Sequence, residues 1–290
     1  MRRAWTFTVL SVVTPPIALF AQEWALEADI ELASHYEWRG LQLDPGRNVQ
    51  HAVYGSLAWR DLMLTAGVWS LTDLSPEAAV GLAERWAFET SPWFEASFGG
   101  NGGQVVAGLT RYAFRSPPPG TVLRRGNTWE VYAGARGAMP GAPLLGEATV
   151  YWDVDRVGGA YAEIAATLQI PVWAGLVVPV GSMFLEGRSG FALGQERSVD
   201  DTDPSDYLFS ERGITHLDLS LRMTLLPVPA GPFMASLTID PHWVRGLDPE
   251  TERLGVRVAG ARDRARWWWG LGVRFTLPRC RPERELCRDL

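Results

Sequence analysis

Cysteine is almost missing from this 290-residue chain: only Cys280 and Cys287 occur, both in the charged end PRCRPERELCRDL. Two cysteines with no histidine nearby make a poor metal-ligand set. They stand either as a small tail disulfide, which an oxidising compartment favours, or as free thiols. Long apolar runs are also missing. Beyond the N-terminal segment, no stretch approaches the roughly 18–20 uninterrupted apolar residues that a spanning helix needs, which excludes a helical membrane protein. Positive charge is in deficit: the formal net charge is −6 and the pI about 5.3, so a nucleic-acid partner has no electrostatic support. No G-x-S-x-G, H-E-x-x-H or phosphate-binding glycine loop is present, and no cofactor is expected. Helical periodicity, finally, is nearly absent.

What the chain does hold is tryptophan, 14 in all, recurring along its length and often near the end of an apolar run. Membrane barrels place aromatic girdles at both interfaces and would use such a supply; an aromatic-rich soluble β domain is the alternative. The N-terminus has the order of an export signal: Met1-Arg2-Arg3 carries positive charge, Trp5 to Phe20 is uncharged and apolar, and Ala21 offers a small residue for cleavage before Gln22. The reading is therefore a signal peptide over 1–21, a β-barrel over 22–277 and a charged tail over 278–290.

Alternation with period two runs through the mature chain, and successive side chains of a strand point to opposite faces. In LEADIELASHYEWRG, Glu27, Asp29, Glu31, His35, Glu37 and Arg39 share one parity, while Leu26, Ile30, Leu32, Tyr36 and Trp38 share the other. Twelve strands are expected, roughly 25–40, 48–60, 62–72, 82–90, 94–115, 128–138, 144–154, 158–170, 172–187, 213–226, 232–246 and 265–277. Long polar connections (LQLDPGR, DLSPEAAVG, SPPPGTVLRRG, EGRSGFALGQERSVDDTDPSDYLFSER, GLDPETERLGVRVAGARDR) alternate with tight ones (Arg60-Asp61, Ser91-Pro92, MPGAP, the Pro171 region, LPVPAGP), DRVG being a mild exception. Outer-membrane barrels have that asymmetry and an even strand number, whereas a sandwich has no reason for it. The apolar parity, Tyr36 and Trp38 included, is thus expected to face lipid and the charged parity to face the lumen. Strands 62–72 and 172–187 are apolar on both faces over several residues, which fits packing against an inward loop or plug.

The segment SHYEWRG with its Pro-Gly loop, then NVQHAVYGSLAW and LTAGVWS, resembles the opening of TorF-like porins, bacterial outer-membrane barrels named mostly from their fold. The pattern falls on Ser34, Tyr36, Arg39, Gly40, Gly67, Trp69 and Ser70. Further on, TWEVYAG and VYWDVDRVGGAYAEI resemble the family's later strands through Glu130, Tyr151, Asp153, Gly159, Tyr161 and Glu163. The resemblance implies an outer-membrane barrel and is no guide to substrate. Such barrels commonly end on a terminal aromatic read by the assembly machinery; Phe275 fits that role, although fifteen residues follow it.

The expected functional constellation is lumenal: Glu31, Glu37, Arg39, Arg60, Glu130, Arg136, Asp153, Glu163, Asp218, Arg222 and Arg274. These charges either pair and hold the wall, or form a constriction that selects permeants. Arg39 is the sharpest single position: an inward guanidinium near the mouth can grip a carboxylate through two hydrogen bonds and order the following loop, or it can attract anionic permeants. Asp153-x-Asp155 and Asp240-x-His242 are similar to the paired acids and Asp-x-His of omptin-type proteases. Omptins have ten strands, however, and Pro241 and the mid-strand place of Asp240 speak against that reading, so no enzyme is expected. DVDRVGG and VDDTDPSD lack EF-hand spacing and read as solvated loops. The resulting expectation is an outer-membrane barrel acting as a porin-like channel for small solutes, with a closed structural barrel as the alternative. Its partners are outer-membrane lipid, the barrel assembly machinery and a small permeant, with no nucleic acid.

Overall fold

The computed structural model describes residues 23–39, 41–44, 46–74, 89–100, 102–114, 127–139, 141–155, 158–170, 180–194, 213–247 and 265–277. The expected signal peptide and the tail with Cys280 and Cys287 lie outside these residues. The described chain is all β. In order the strands are β1 (Glu23–Ala33), β2 (Tyr36–Trp38), β3 (Leu41–Asp44), β4 (Asn48–Trp59), β5 (Leu62–Asp73), β6 (Glu89–Gly100), β7 (Gly103–Phe114) and β8 (Thr128–Ala138). Then follow β9 (Leu144–Asp153), β10 (Ala160–Ile170), β11 (Val180–Gly194), β12 (Gly213–Leu225), β13 (Val228–Ala230), β14 (Phe233–Gly246) and β15 (Ala265–Leu277).

Twelve of these form one closed antiparallel barrel. Neighbours in sequence pair with each other, β12 pairs with β14, and β15 closes the ring on β1 through the register Leu26↔Leu277 to Ala33↔Gly270. The short β13 pairs only with the start of β14, and β2 pairs with β3 apart from the barrel. Closure leaves no unpaired sheet edge, the condition for a sheet to cross a bilayer.

The polarity is that of a membrane protein. Ile30, Val53, Phe98, Trp152 and Trp267 are 51%, 54%, 60%, 53% and 74% exposed on the outside, whereas Glu89, Glu130, Asp240 and Asn48 are buried. In water such an apolar exterior would cost about 25 cal/mol for every Å² left wetted; against acyl chains it costs nothing. Apart from the six-residue β9–β10 link, the connections at one rim are longer than those at the other, which places the long-loop rim at the cell exterior.

Three strand expectations change. The stretch 94–115 is a hairpin of β6 and β7, turned between Gly100 and Gly103, because Gly100↔Gly103 closes the ladder and Gly99, at φ 135, adopts backbone that side chains resist. Ser91-Pro92 is no turn: it lies inside β6, pairs with β5 at Ser91↔Trp69 and Pro92↔Val68, and is skipped by the ladder to β7, where proline has no N–H to give. Of the expected strand 82–90, only 89–90 falls within the described residues. Finally, β11 runs on to Gly194, so the EGRSGFALG expected as loop belongs to the wall.

The fourth change has most bearing on function. Strand one stops at Ala33, where Ser34 makes the last bonds to β15: its N–H donates to the Trp269 carbonyl (3.0 Å), and its Oγ accepts from the Trp269 N–H (3.1 Å). From there the chain turns away from the wall as the β2–β3 hairpin, which folds into the lumen. Tyr36 is 6% exposed, and it faces protein rather than lipid.

Candidate functional site

The hairpin is held by side chains from most of the ring. Arg39 sits at its tip with φ 52, a left-handed backbone that an arginine adopts only under strong local constraint. Its guanidinium donates to both oxygens of Glu130 on β8, at 2.8 and 2.6 Å. Three aromatic rings surround the same group, Trp38 at 4.5 Å, Tyr151 at 4.6 Å and Tyr161 at 4.3 Å from ring centre to guanidinium carbon. Tyr112 of β7 adds an O–H to Glu130 at 3.2 Å and meets the Trp38 ring edge-on at 5.9 Å. A carboxylate and an aromatic cage thus satisfy both the charge and the flat faces of the guanidinium.

Two further anchors fix the flanks. The Tyr36 hydroxyl donates to Glu89 at 3.0 Å, and the Ser91 hydroxyl donates to the same carboxylate at 2.7 Å. The Tyr36 ring lies 5.4 Å from Trp69, so the apolar inner face of β5 packs against an inward segment. On the opposite flank Arg266 of β15 donates to Glu37 at 2.7 and 3.2 Å, and His35 Nε2 lies 3.2 Å from Glu37. Trp38 is therefore not an interfacial lipid anchor: it lies under Arg39 inside the barrel. Its alternation with Glu37 comes from a two-stranded hairpin rather than from the wall.

The tyrosines that cage Arg39 form part of a cross-strand row. Tyr132, Tyr151 and Tyr161 are register partners on β8, β9 and β10, with ring centres 5.6 and 6.0 Å apart. Glycines flank the row: a Cβ at Gly108 would strike Tyr132, and one at Gly190 would strike Tyr161, Thr215 and His216. Both glycines make room for large inward side chains on the neighbouring strand.

Below the hairpin the ion pairs follow the wall. Arg222 of β12 donates to Asp240 of β14 at 2.8 Å, where the β12–β14 ladder skips Asp240 and Pro241, so a side-chain bond spans the backbone gap. His242 lies between two acids, Nδ1 3.1 Å from Asp218 and Nε2 3.2 Å from Asp240, and stacks on Trp268 with ring centres 3.7 Å apart. Arg188 meets Glu163 at 2.8 Å and Glu186 at 2.7 Å, and Arg274 meets Asp29 at 2.8 Å. Arg136 reaches Glu95 at 3.2 Å and Gln104 at 3.0 Å. Asp153, at the rim end of β9, accepts from Thr128 at 2.6 Å.

The sequence-derived set therefore divides. Arg39, Glu37 and Glu130 come together in the hairpin anchor. Glu31, Asp218, Arg222 and Arg274 line the wall around β14 and β15, while Glu163, Arg136 and Asp153 belong to pairs on the other side. Arg60 does not belong in the lumen. It is the left-handed residue (φ 56) of the two-residue turn between β4 and β5, exposed, with its guanidinium 5.2 Å from the centre of the outward Trp59 ring. The omptin-like pairs do not meet as a unit: Asp153 is bonded on β8–β9, and both ring nitrogens of His242 already face carboxylates. Glu89, Arg188 and Arg266 join the site without belonging to that set. For Arg188 the signal was present, since Glu186 and Arg188 continue the parity of Ser182 and Phe184.

Beneath the hairpin lies a cavity of about 440 Å³, bounded by Trp69 on β5 and by Phe184 on β11. These strands stand six apart in a ring of twelve, so the space reaches from one side of the bore to the other. Acids and bases share its lining: Asp29, Glu31 and Asp240 with Arg222 and Arg274.

No family model matches the chain, and neither does any curated protein. Among solved structures the chain is similar to a bacterial polysaccharide outer membrane secretin (9% identity, TM-score 0.43, covering 89% of this chain and 98% of that one). It is similar also to an outer membrane channel from Pseudomonas putida F1 (12%, 0.45, 89% and 95%) and to LpxR from Salmonella typhimurium (8%, 0.44, 86% and 99%). By its own closure, its inverted polarity and its loop asymmetry, the chain is an outer-membrane β-barrel.

Proposed function

We propose that this barrel is a narrow porin-like channel for small solutes, and that the β2–β3 hairpin sets its bore. One observation carries the reading: the 440 Å³ cavity reaches between opposite walls, from β5 to β11. Among the described residues, the ion pairs below the hairpin join the same, neighbouring or next-neighbouring strands, and none crosses the centre of the bore. Around this cavity, a barrel closed by its own side chains would instead carry its pairs across the bore. The resemblance to TorF-like porins supports the same reading. Its positions Tyr36, Arg39, Trp69, Glu130, Tyr151 and Tyr161 are the residues that fold and hold the hairpin. Lipid surrounds the barrel. Phe275, outward on the last strand, is the residue we assign to the assembly machinery.

The test is planar-bilayer conductance of refolded protein whose fold is established by its slower gel migration before boiling. Discrete current steps are expected. Current no greater than leak from protein with the folded mobility would rule out the channel.

A further inference from the structure

The cavity below the hairpin has a chemical bias of its own. Among the described residues the inward guanidiniums are those of Arg39, Arg136, Arg188, Arg222, Arg266 and Arg274, and each already holds at least one carboxylate. The chain contains no lysine, and among the described residues no further guanidinium faces the lumen to balance the remaining acids. Glu31 is the telling case. It lines the cavity, its carboxylate lies over Gly270, and it has no hydrogen bond or ion pair to any described residue. Asp240 lines the same space and is 4% exposed. One of its oxygens, Oδ2, is taken by Arg222, while the buried Oδ1 lacks an aligned hydrogen bond, the His242 ring standing 3.2 Å away. The remaining lining includes hydroxyls of Ser236 and Thr238 and the rings of Trp69 and Phe184.

A buried carboxylate oxygen without an aligned donor has room for one, and aromatic faces favour cations over anions. The volume falls in the usual range of small-molecule sites. We propose that this cavity is a binding site for a small organic cation bearing primary ammonium or guanidinium groups. Glu31 is its counter-ion, Asp240 Oδ1, which also faces the His242 ring, is a second acceptor, and Trp69 and Phe184 are the walls for its hydrocarbon part. The proposal deepens the channel reading, on which it rests for its role in permeation; as a binding site it stands by itself.

The experiment has two arms on the full folded barrel in detergent or bilayer. In the first, calorimetry compares 1,4-diaminobutane with 1,4-butanediol and succinate, which have the same chain length and differ in charge. Saturable heat is expected for the diamine alone. Glu31→Gln should weaken it roughly tenfold or more, the scale of one charge-assisted hydrogen bond. Glu147→Gln, on the other side of the barrel, should leave it unchanged. No preference of the wild type for the diamine over the diol overturns the site, with or without a foldable Glu31 variant; so does undiminished binding by folded Glu31→Gln. In the second arm, the reversal potential in a KCl gradient should be cation-selective. Diamine binding without any conductance would remove the channel and keep the site. Conductance without cation preference or diamine binding would remove the site and keep the channel.

Discussion

The outer and inner halves of the lumen are built from the same twelve strands and the same residue types, yet they treat charge differently. In the outer half the Arg39 and Glu130 side chains are 9% and 5% exposed. In the inner half the Arg274–Asp29 pair is 48% and 30% exposed, and Arg222 is 48% exposed although its partner Asp240 is 6% exposed. What separates the two halves is a stretch of backbone. Wall side chains can reach the strand beside or next to their own, but a bore of this size stays open unless the chain itself is inserted. Among the described residues the β2–β3 hairpin does so, at one level of the bore. The comparison also ranks energies, because a sealed pair is expensive to break and a wetted one is not.

Removing one partner of the sealed pair should have the largest effect. Arg39→Ala leaves Glu130 buried with, among the described residues, only the Tyr112 hydroxyl, at a cost of about 3–5 kcal/mol. Its expected signs are a lower temperature of heat-modified gel migration and faster amide exchange over residues 34–39. Gly190→Ala comes next. The added methyl meets Tyr161, which must leave its place against Arg39, and overpacking of this kind costs about 1–3 kcal/mol. The same exchange measurement should locate the disturbance in the outer half. Tyr36→Phe removes one hydrogen bond to Glu89 and leaves the one from Ser91, so about 1 kcal/mol is expected in the same unfolding assay. Arg274→Ala breaks an exposed pair and should change stability by no more than about 1 kcal/mol. It removes a cation from the cavity wall, so the reversal potential should move toward stronger cation preference. An Arg274 effect as large as that of Arg39 would erase the distinction between the halves.

The wall was legible in the sequence; the two apolar faces of strand 62–72 also signalled an inward segment, but not which residues form it. Lipid outside and charge inside impose strict period two, so Leu217, Leu219, Leu221 and Met223 on β12, or Trp267, Trp269 and Leu271 on β15, declare their face directly. The hairpin escaped because its own alternation continues that of β1 with no change of composition. The break is a single residue, Ser34, whose hydroxyl replaces a backbone acceptor. The turn between β6 and β7 escaped for a related reason: its glycines lie inside one long small-and-apolar run, while Pro92, which looks like a turn, is tolerated in the wall where the ladder skips it. Within the site, the opposite charges announced that pairs would form. Their partners were set by register, which alternation alone does not supply. That Glu130 and Arg39, 91 residues apart, would meet is a consequence of the inserted backbone.

The central claim is that this insert, rather than the wall, sets the bore. Excising residues 36–44 and comparing single-channel conductance with the intact chain tests it most directly. The account predicts a folded, heat-modifiable barrel whose unit conductance is several-fold higher than that of the full chain. A folded barrel with unchanged conductance would contradict it.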